Sequence, residues 1–453
     1  MQFGGRVTDP ARARPRENPT PEGVNPPAVR SPKLVQGIGF AFFRRKAMRN
    51  WIKRYGRIFE INVPIFGRSV VVSDPALVRA VCTASTEQLM NVQPNLGNWF
   101  GPGSTFGLDD TRHRDRRRLL APAFHGQSIK NYEKLIVDET LRESANWPED
   151  KEFRMLDSMN RITLNVILRT IFGADGSEGE IEQLSEIVPP YMKLGQLVAF
   201  LPTPPFPTGR HSPWGRLEEL RKAFDRIVCT LIARAEADPS LAGRNDVLAF
   251  LLRNRHDEGT GMAPQDLYDE LLTLICAGHE TTASALGWAF ERLRRHPSVL
   301  AELVSEVDEG GSAFRRATIL EVLRVRTVID VAGRRVRAPN FDLGEWRIPR
   351  NHTVLVRIAD LHENPEIFPH PERFDPYRFH GSKAAAPTWL AFGGGARRCV
   401  GADFAIAEMD VVLRTVLKNF RIQTDAAADE KSYFRGIAHT PKLGGRVVLN
   451  RRT

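Results

Sequence analysis

Apolar positions along most of the chain recur with a helical period, and a few short stretches alternate with a period of two. The longest helical pattern runs from Pro264 to about Arg295 with no interior proline. At about 1.5 Å per residue it would cross most of a domain of this size. Further helical patterns start at Trp51, after Asp74-Pro75 with its acidic N-cap and first-position proline, and over the basic run ending near Leu119-Leu120-Ala121-Pro122. Others cover residues 191–200, 214–237, 297–307 and 313–326. Strand patterns at 59–63 and 69–72 flank Phe66-Gly67-Arg68 as a hairpin, and a third lies at 352–358. Pro202, Pro204, Pro205 and Pro207 separate two helices by an irregular apolar connection, either a lid or an ordinary loop. The expected fold is mainly α with a small β-rich side region.

Composition narrows this picture. The chain has 453 residues, 42% hydrophobic, enough for a substantial core, and its length alone would suggest two or three domains. Four cysteines, Cys82, Cys229, Cys276 and Cys399, stand far apart with no paired spacing, so neither a disulfide framework nor a zinc site is readable and a reducing cytoplasm is expected. The net charge of +10 comes without zinc-finger spacing, RNA-binding aromatics or basic heptads, which points away from nucleic acid and towards an acidic protein or anionic ligand. Residues 1–34 read as a proline- and arginine-rich leader without the apolar core of a signal peptide. The apolar patch from Ile38 to Phe43 is too short to span a bilayer and runs into Arg44-Arg45-Lys46, so a soluble protein is expected.

Candidate chemistry concentrates at a few places. Phe392-Gly393-Gly394-Gly395-Ala396-Arg397-Arg398-Cys399-Val400-Gly401 puts a cysteine after a glycine-rich turn and before a helix N-terminus, where backbone N–H groups and the helix dipole favour a thiolate. Alone it also fits a capping loop with an inert thiol. The long helix carries Ala277-Gly278-His279-Glu280-Thr281-Thr282 at its centre, poor residues for a buried helix. Small Ala277 and Gly278 would let a ligand approach, and Thr281 could bond a carbonyl one turn back. The loop around Trp99 and Phe100 suggests a pocket wall. His113 and Arg117 share a helical face, and Glu321 and Arg324 share another. The proline-spaced coil Phe368–Pro376 needs side chains such as Arg373 to order it.

Taken in order, four of these strings resemble the cytochrome P-450 family of haem-thiolate monooxygenases from about residue 35 onward. They are Phe392-x-x-Gly395-x-Arg397-x-Cys399-x-Gly401, Ala277-Gly278-x-Glu280-Thr281-Thr282, Glu321-x-x-Arg324 and Pro371-Glu372-Arg373-Phe374. The resemblance implies one domain over 35–453, with a long central helix above haem b. Cys399 would be the metal ligand, shielded by Phe392 in a loop bounded by Gly393 and Gly401. His113, Arg117, Arg397 and Arg335 would meet the haem propionates, with Arg334 competing for the last place. Glu280 and Thr281 would deliver protons during activation of O2, and Glu321, Arg324 and Arg373 would form a buried ion triad.

The same resemblance implies a pocket lined by Trp99, Phe100, Ala277, Gly278, Val328 and Ile329. Asp330, where the family often has prolines nearby, either meets a polar substrate group or faces solvent. The implied activity is insertion of one oxygen atom into an apolar small molecule, by hydroxylation or epoxidation. With no flavin or iron–sulfur module after Thr453, electrons are expected from ferredoxin and its reductase, or from flavodoxin, to a cytoplasmic monomer. Two alternatives are a haem protein that binds or senses a ligand without turnover, disfavoured by the Glu280-Thr281 pair, and a peroxide-using relative.

Overall fold

In this computed structural model the described residues are 24–452 apart from 65, 93–94, 174–177, 199–208, 255–261 and 382–387. The first half of the chain forms α1 (Lys33–Phe42), α2 (Arg44–Tyr55), α3 (Pro75–Thr83), α4 (Gly97–Phe100), α5 (Asp110–Leu120), α6 (Gln127–Asn131), α7 (Glu133–Ser144), α8 (Met155–Phe172), α9 (Glu178–Val198) and α10 (Pro213–Glu236). The second half adds α11 (Val247–Asn254), α12 (Pro264–Arg295), α13 (Pro297–Asp308), α14 (Ala313–Val325), α15 (Ile358–His362) and α16 (Ala402–Asn419). Strands are β1 (Ile58–Val63), β2 (Gly67–Val72), β3 (Leu89–Asn91), β4 (Phe153–Arg154), β5 (Val331–Val336), β6 (Asn340–Leu343), β7 (Trp346–Pro349) and β8 (Thr353–Arg357). They continue as β9 (Phe420–Ile422), β10 (Ser432–Arg435), β11 (Ala438–Pro441), β12 (Arg446–Val447) and β13 (Leu449–Arg451).

Local chemistry explains several boundaries. The Asp74 carboxylate accepts from the N–H groups of Ala76 and Leu77 at 3.0 and 3.1 Å, and Pro75 occupies the first helical position of α3. The long pattern becomes α12 over the same Pro264–Arg295 span, with α8 packed along it and α16 on another side. Other boundaries differ from the expectations. Helix begins at Lys33, not Trp51, because Gln36 and Phe40 give α1 an inward face against β1. Likewise α9 begins at Glu178 and carries Pro189 and Pro190 within it, where only residues from Tyr191 onward were expected to be helical. The expected proline-rich connection and residues 1–23 of the expected leader lie outside the described residues.

The β-rich side is a five-stranded sheet in the order β1-β2-β8-β5-β3, mixed because β2 pairs with β8 in parallel while the other neighbours are antiparallel. A hairpin of β10 and β11 stands apart from it, with β11 packed on α12. The largest core unites the helices around α8, α12 and α16, and a second lies between the sheet, α3 and the segment before Cys399.

Candidate active site

From Asp269 to Leu293 every residue of α12 is buried except Ala277, Gly278 and Thr281. Positions i, i+1 and i+4 share one face, so this is a single window onto interior space. The Thr281 hydroxyl donates to the Ala277 carbonyl at 2.8 Å, and Thr282 and Ser284 donate to Gly278 and Glu280 at 3.1 and 2.7 Å. This back-bonding satisfies the hydroxyls while leaving the helix unbroken. Gly278 serves packing as well as access: a Cβ there would lie 3.1 Å from Ile167 of α8.

Glu280 is buried, and its Oε2 accepts from Gln196 Nε2 of α9 at 2.6 Å. Burial pushes its carboxyl pKa up, against the opposing pull of Gln196 and Arg435. Sequence spacing gave no hint of Gln196. Trp99 and Phe100, read from the sequence as a pocket wall on a loop, form a helical turn, and both are buried. They stack at 4.6 Å between centroids, and Tyr191 of α9 donates to the Trp99 carbonyl at 2.8 Å. The approach demands a glycine opposite, since a Cβ on Gly195 would sit 1.8 Å from the Trp99 ring.

This roof is clamped to α12 by charge. Arg116 of α5 meets Glu270 at 2.7 Å, and Glu270 also accepts from the N–H of Thr105 at 2.9 Å. Arg221 of α10 meets Asp269 at 2.6 Å and donates to the Phe100 carbonyl at 2.9 Å. Below, Val328 is buried and Ile329 half-buried at the lead into β5. Asp330 neither faces solvent nor an open pocket. Burial would raise its pKa, but Arg357 at 2.6 Å, with His439 and Arg44 nearby, holds the carboxyl well below the ordinary range.

The cysteine loop lies two residues before the N-cap of α16, Gly401, which has open space where a Cβ would stand. The Cys399 N–H donates to the Phe392 carbonyl at 2.8 Å, and Phe392 packs at 5.9 Å against Trp389. Gly393 and Gly395 have φ of +69° and +64°. At Gly395 glycine is required twice over, because a Cβ would lie 1.7 Å from the Cys82 carbonyl oxygen. Cys399 is accessible, yet enough protein surrounds it that burial pushes its thiol pKa up, so it opens onto interior space. The Gly401 N–H, Arg117 and Arg398 pull the other way, the direction a charged sulfur needs.

Beside the loop four basic side chains converge. Burial, with Arg397 and Arg117 nearby, depresses His113 to about 3, and burial beside Arg397 lowers Arg334 to about 10. Burial also lowers Arg117 and Arg397. Asp109, 2.7 Å from Arg397, is a nearby counter-charge. Four cations held out of water, with mutual repulsion adding to the cost of burial, make a place suited to an anion. The expected member Arg335 is replaced by Arg334. Neighbouring strand residues point to opposite faces, and the pairing of β5 with β3 and β8 turns Arg334 towards Arg397 and Asp109.

The ion triad also changes membership. Arg324 and Glu321 are fully buried and doubly bonded at 2.7 and 2.8 Å, and Arg324 donates to the carbonyls of His362, Pro371 and Arg373. Arg373 itself is exposed, and the third cation is Arg378, 3.3 Å from Glu321. Pro376-Tyr377-Arg378-Phe379 repeats the Pro-x-Arg-Phe spacing five residues after Pro371, a signal present in the sequence. His362 completes the brace. Its Nε2 accepts from the Leu390 N–H at 3.0 Å, so Nδ1 carries the proton and donates to the Thr327 hydroxyl at 2.8 Å.

Residues 31–445 match the family model described as Cytochrome P-450. The chain belongs to the cytochrome P-450 family. It is 56% identical over 435 residues to the provisionally named cytochrome P-450 138 of Mycobacterium tuberculosis (strain ATCC 25618 / H37Rv), covering 96% of this chain and 98% of that one. Similarity to the provisionally named cytochrome P-450 135B1 of the same strain is 35% over 431 residues, covering 93% and 90%. Among solved structures, retinoic acid bound cyanobacterial CYP120A1 superposes with a TM-score of 0.82 at 22% identity, covering 95% of this chain and all of that one, a likeness of fold. Membership makes this P-450 an oxidoreductase, a haem monooxygenase that uses O2 and an external source of electrons. The convergent cations, the accessible sulfur and the open space beside Gly401 fit a flat, dianionic, sulfur-ligated group.

Proposed function

We propose that this cytochrome P-450 inserts one oxygen atom into an apolar small molecule held under Trp99 and Phe100 against Val328 and Ile329. Haem, when bound, supplies the reductive activation of O2. Cys399 would be its thiolate ligand, with His113, Arg117, Arg334 and Arg397 on its carboxylates. The reading is carried by the α12 window, where the Thr281 hydroxyl stands at an opening beside a buried acid. Glu280 has a raised pKa and so retains a proton to higher pH, while Gln196 fixes its Oε2. With its own hydrogen spent on Ala277, Thr281 Oγ1 offers its lone pairs towards the window and can order a water there. The aromatic roof, clamped at Asp269 and Glu270, keeps bulk water from that path. An acidic ferredoxin would dock at the exposed basic residues Arg114, Arg118 and Arg398.

Reductase-driven turnover with a compound that shifts the haem spin state tests this reading. Thr281→Ala should consume NAD(P)H at near the parental rate but divert about 90% or more of it from product to peroxide, given the 10²–10⁴-fold typical of such proton transfers. Unchanged coupling, or full activity with peroxide alone, would sink the relay. In the same assay reduction should slow as salt rises, and salt independence would remove the charged docking site.

A further inference from the structure

We propose that the corner formed by α1 and α2 docks the protein peripherally on an anionic lipid surface. Gln36 fixes how α1 is turned: its side chain donates to the carbonyls of Val29 and Ser31 and accepts from the Asn62 N–H at 2.7 Å. With Gln36 and Phe40 facing in, Leu34, Val35, Ile38, Ala41 and Phe42 fall within an arc of about 120° on the opposite side. Leu34 is 73% exposed, Ile38 52%, Phe42 79% and the following Phe43 61%. A single exposed leucine means little, but a contiguous stripe of large side chains marks a surface that something covers.

The polar surroundings identify what covers it. Residues 33–55 contain Lys33, Arg44, Arg45, Lys46, Arg49, Lys53 and Arg54, and no acid. Arg44 is turned inward to Asp330, and the other six are exposed, Arg45 in an ion pair with Glu363 at the edge of the corner. A second copy of this face would set cations against cations. The stripe has no polar side chain to anchor a structured partner, and its uniform hydrocarbon flanked by spread positive charge suits fluid acyl chains under acidic headgroups. Ten residues of helix cannot cross a bilayer, and no helix among the described residues is long and apolar enough to do so, so the helix would lie in the interface. The corner also adjoins the β10–β11 hairpin. The Arg44 guanidinium lies 4.5 Å from the Phe434 ring centre, and the hairpin turn at Gly436 packs on Gln196. Docking would bring hydrocarbon beside the hairpin that packs on Gln196, the donor to Glu280. The binding itself does not depend on the oxygen chemistry proposed above.

The test uses the haem-loaded full-length protein and vesicles of phosphatidylcholine with or without phosphatidylglycerol. Co-sedimentation is expected only with the anionic vesicles and should weaken with salt. It should fall by at least about tenfold both in Ile38→Ser/Phe42→Ser/Phe43→Ser and in Arg45→Gln/Lys46→Gln/Arg49→Gln. Both variants should keep the parental melting temperature and carbon monoxide difference spectrum, which separates lost docking from lost folding. Absence of vesicle binding at low salt, or binding unchanged in the serine variant, would overturn the proposal. So would lipid-free self-association abolished by those serines, or vesicle binding that appears only once residues 1–23 are removed, since either would name a different occupant.

Discussion

Arg334 and Arg335 are chemically identical neighbours, and only the register of β5 separates their fates. One joins His113, Arg117 and Arg397, and the other points away. Because a strand has period two, a one-residue change of register exchanges them, and register is set by partners far off in sequence. That is why the pair was legible as a candidate and the member was not. Arg334→Leu should weaken haem retention about tenfold, the worth of one charge-assisted bond, while Arg335→Leu stays within about twofold. Haem transfer to apomyoglobin, followed by absorbance, measures both. A second residue lies outside the site. Glu408 of α16 is buried, neither oxygen has a hydrogen-bond donor among the described residues, and burial pushes its pKa well above the ordinary carboxylate value. The native state then holds a proton that the unfolded chain has released, so this group lowers stability as pH rises above about 4.5 and has no such effect below it. Glu408→Gln should therefore be more stable than the parent near neutral pH, with the gap closing towards about pH 4, as read by urea unfolding.

Elements were more legible than contacts. The span of α12 and the start of α3 follow from prolines, an acidic cap and an uninterrupted period, all local signals. The brace beneath Cys399 needed distance information. The sequence reading took the first of two tandem Pro-x-Arg-Phe strings, and the fold uses the second, because Arg378 ends the short 3₁₀ turn Pro376–Arg378 facing Glu321. Arg378→Ala should cost about 1–3 kcal/mol, since Glu321 keeps Arg324, whereas Arg373→Ala should stay within about 0.5 kcal/mol. Chemical denaturation of the two variants separates the assignments, and equal losses would restore Arg373. The backbone carbonyl of Arg373 still serves Arg324, which is a contact no substitution of its side chain removes.

At the scale of the molecule, the order of four motifs along the chain was enough to anticipate a mainly α fold with its β-rich side, and the family match and superposition agree. What stayed hidden were joints between distant segments. Arg221 and Asp269 are 48 residues apart, Arg116 and Glu270 154, and Gln196 and Glu280 84. None of these pairs leaves a local pattern, because each is chosen by tertiary geometry after the helices exist. The last of them carries a further consequence. Gln196 rides on α9, part of the roof, and its bond to Glu280 is one more joint between that roof and α12. A displacement of α9 would take that donor from the acid, and its return would restore it. The helix that holds Trp99 through Tyr191 is thus the one that holds Glu280 through Gln196, so a shift of the aromatic wall would be felt at the buried acid.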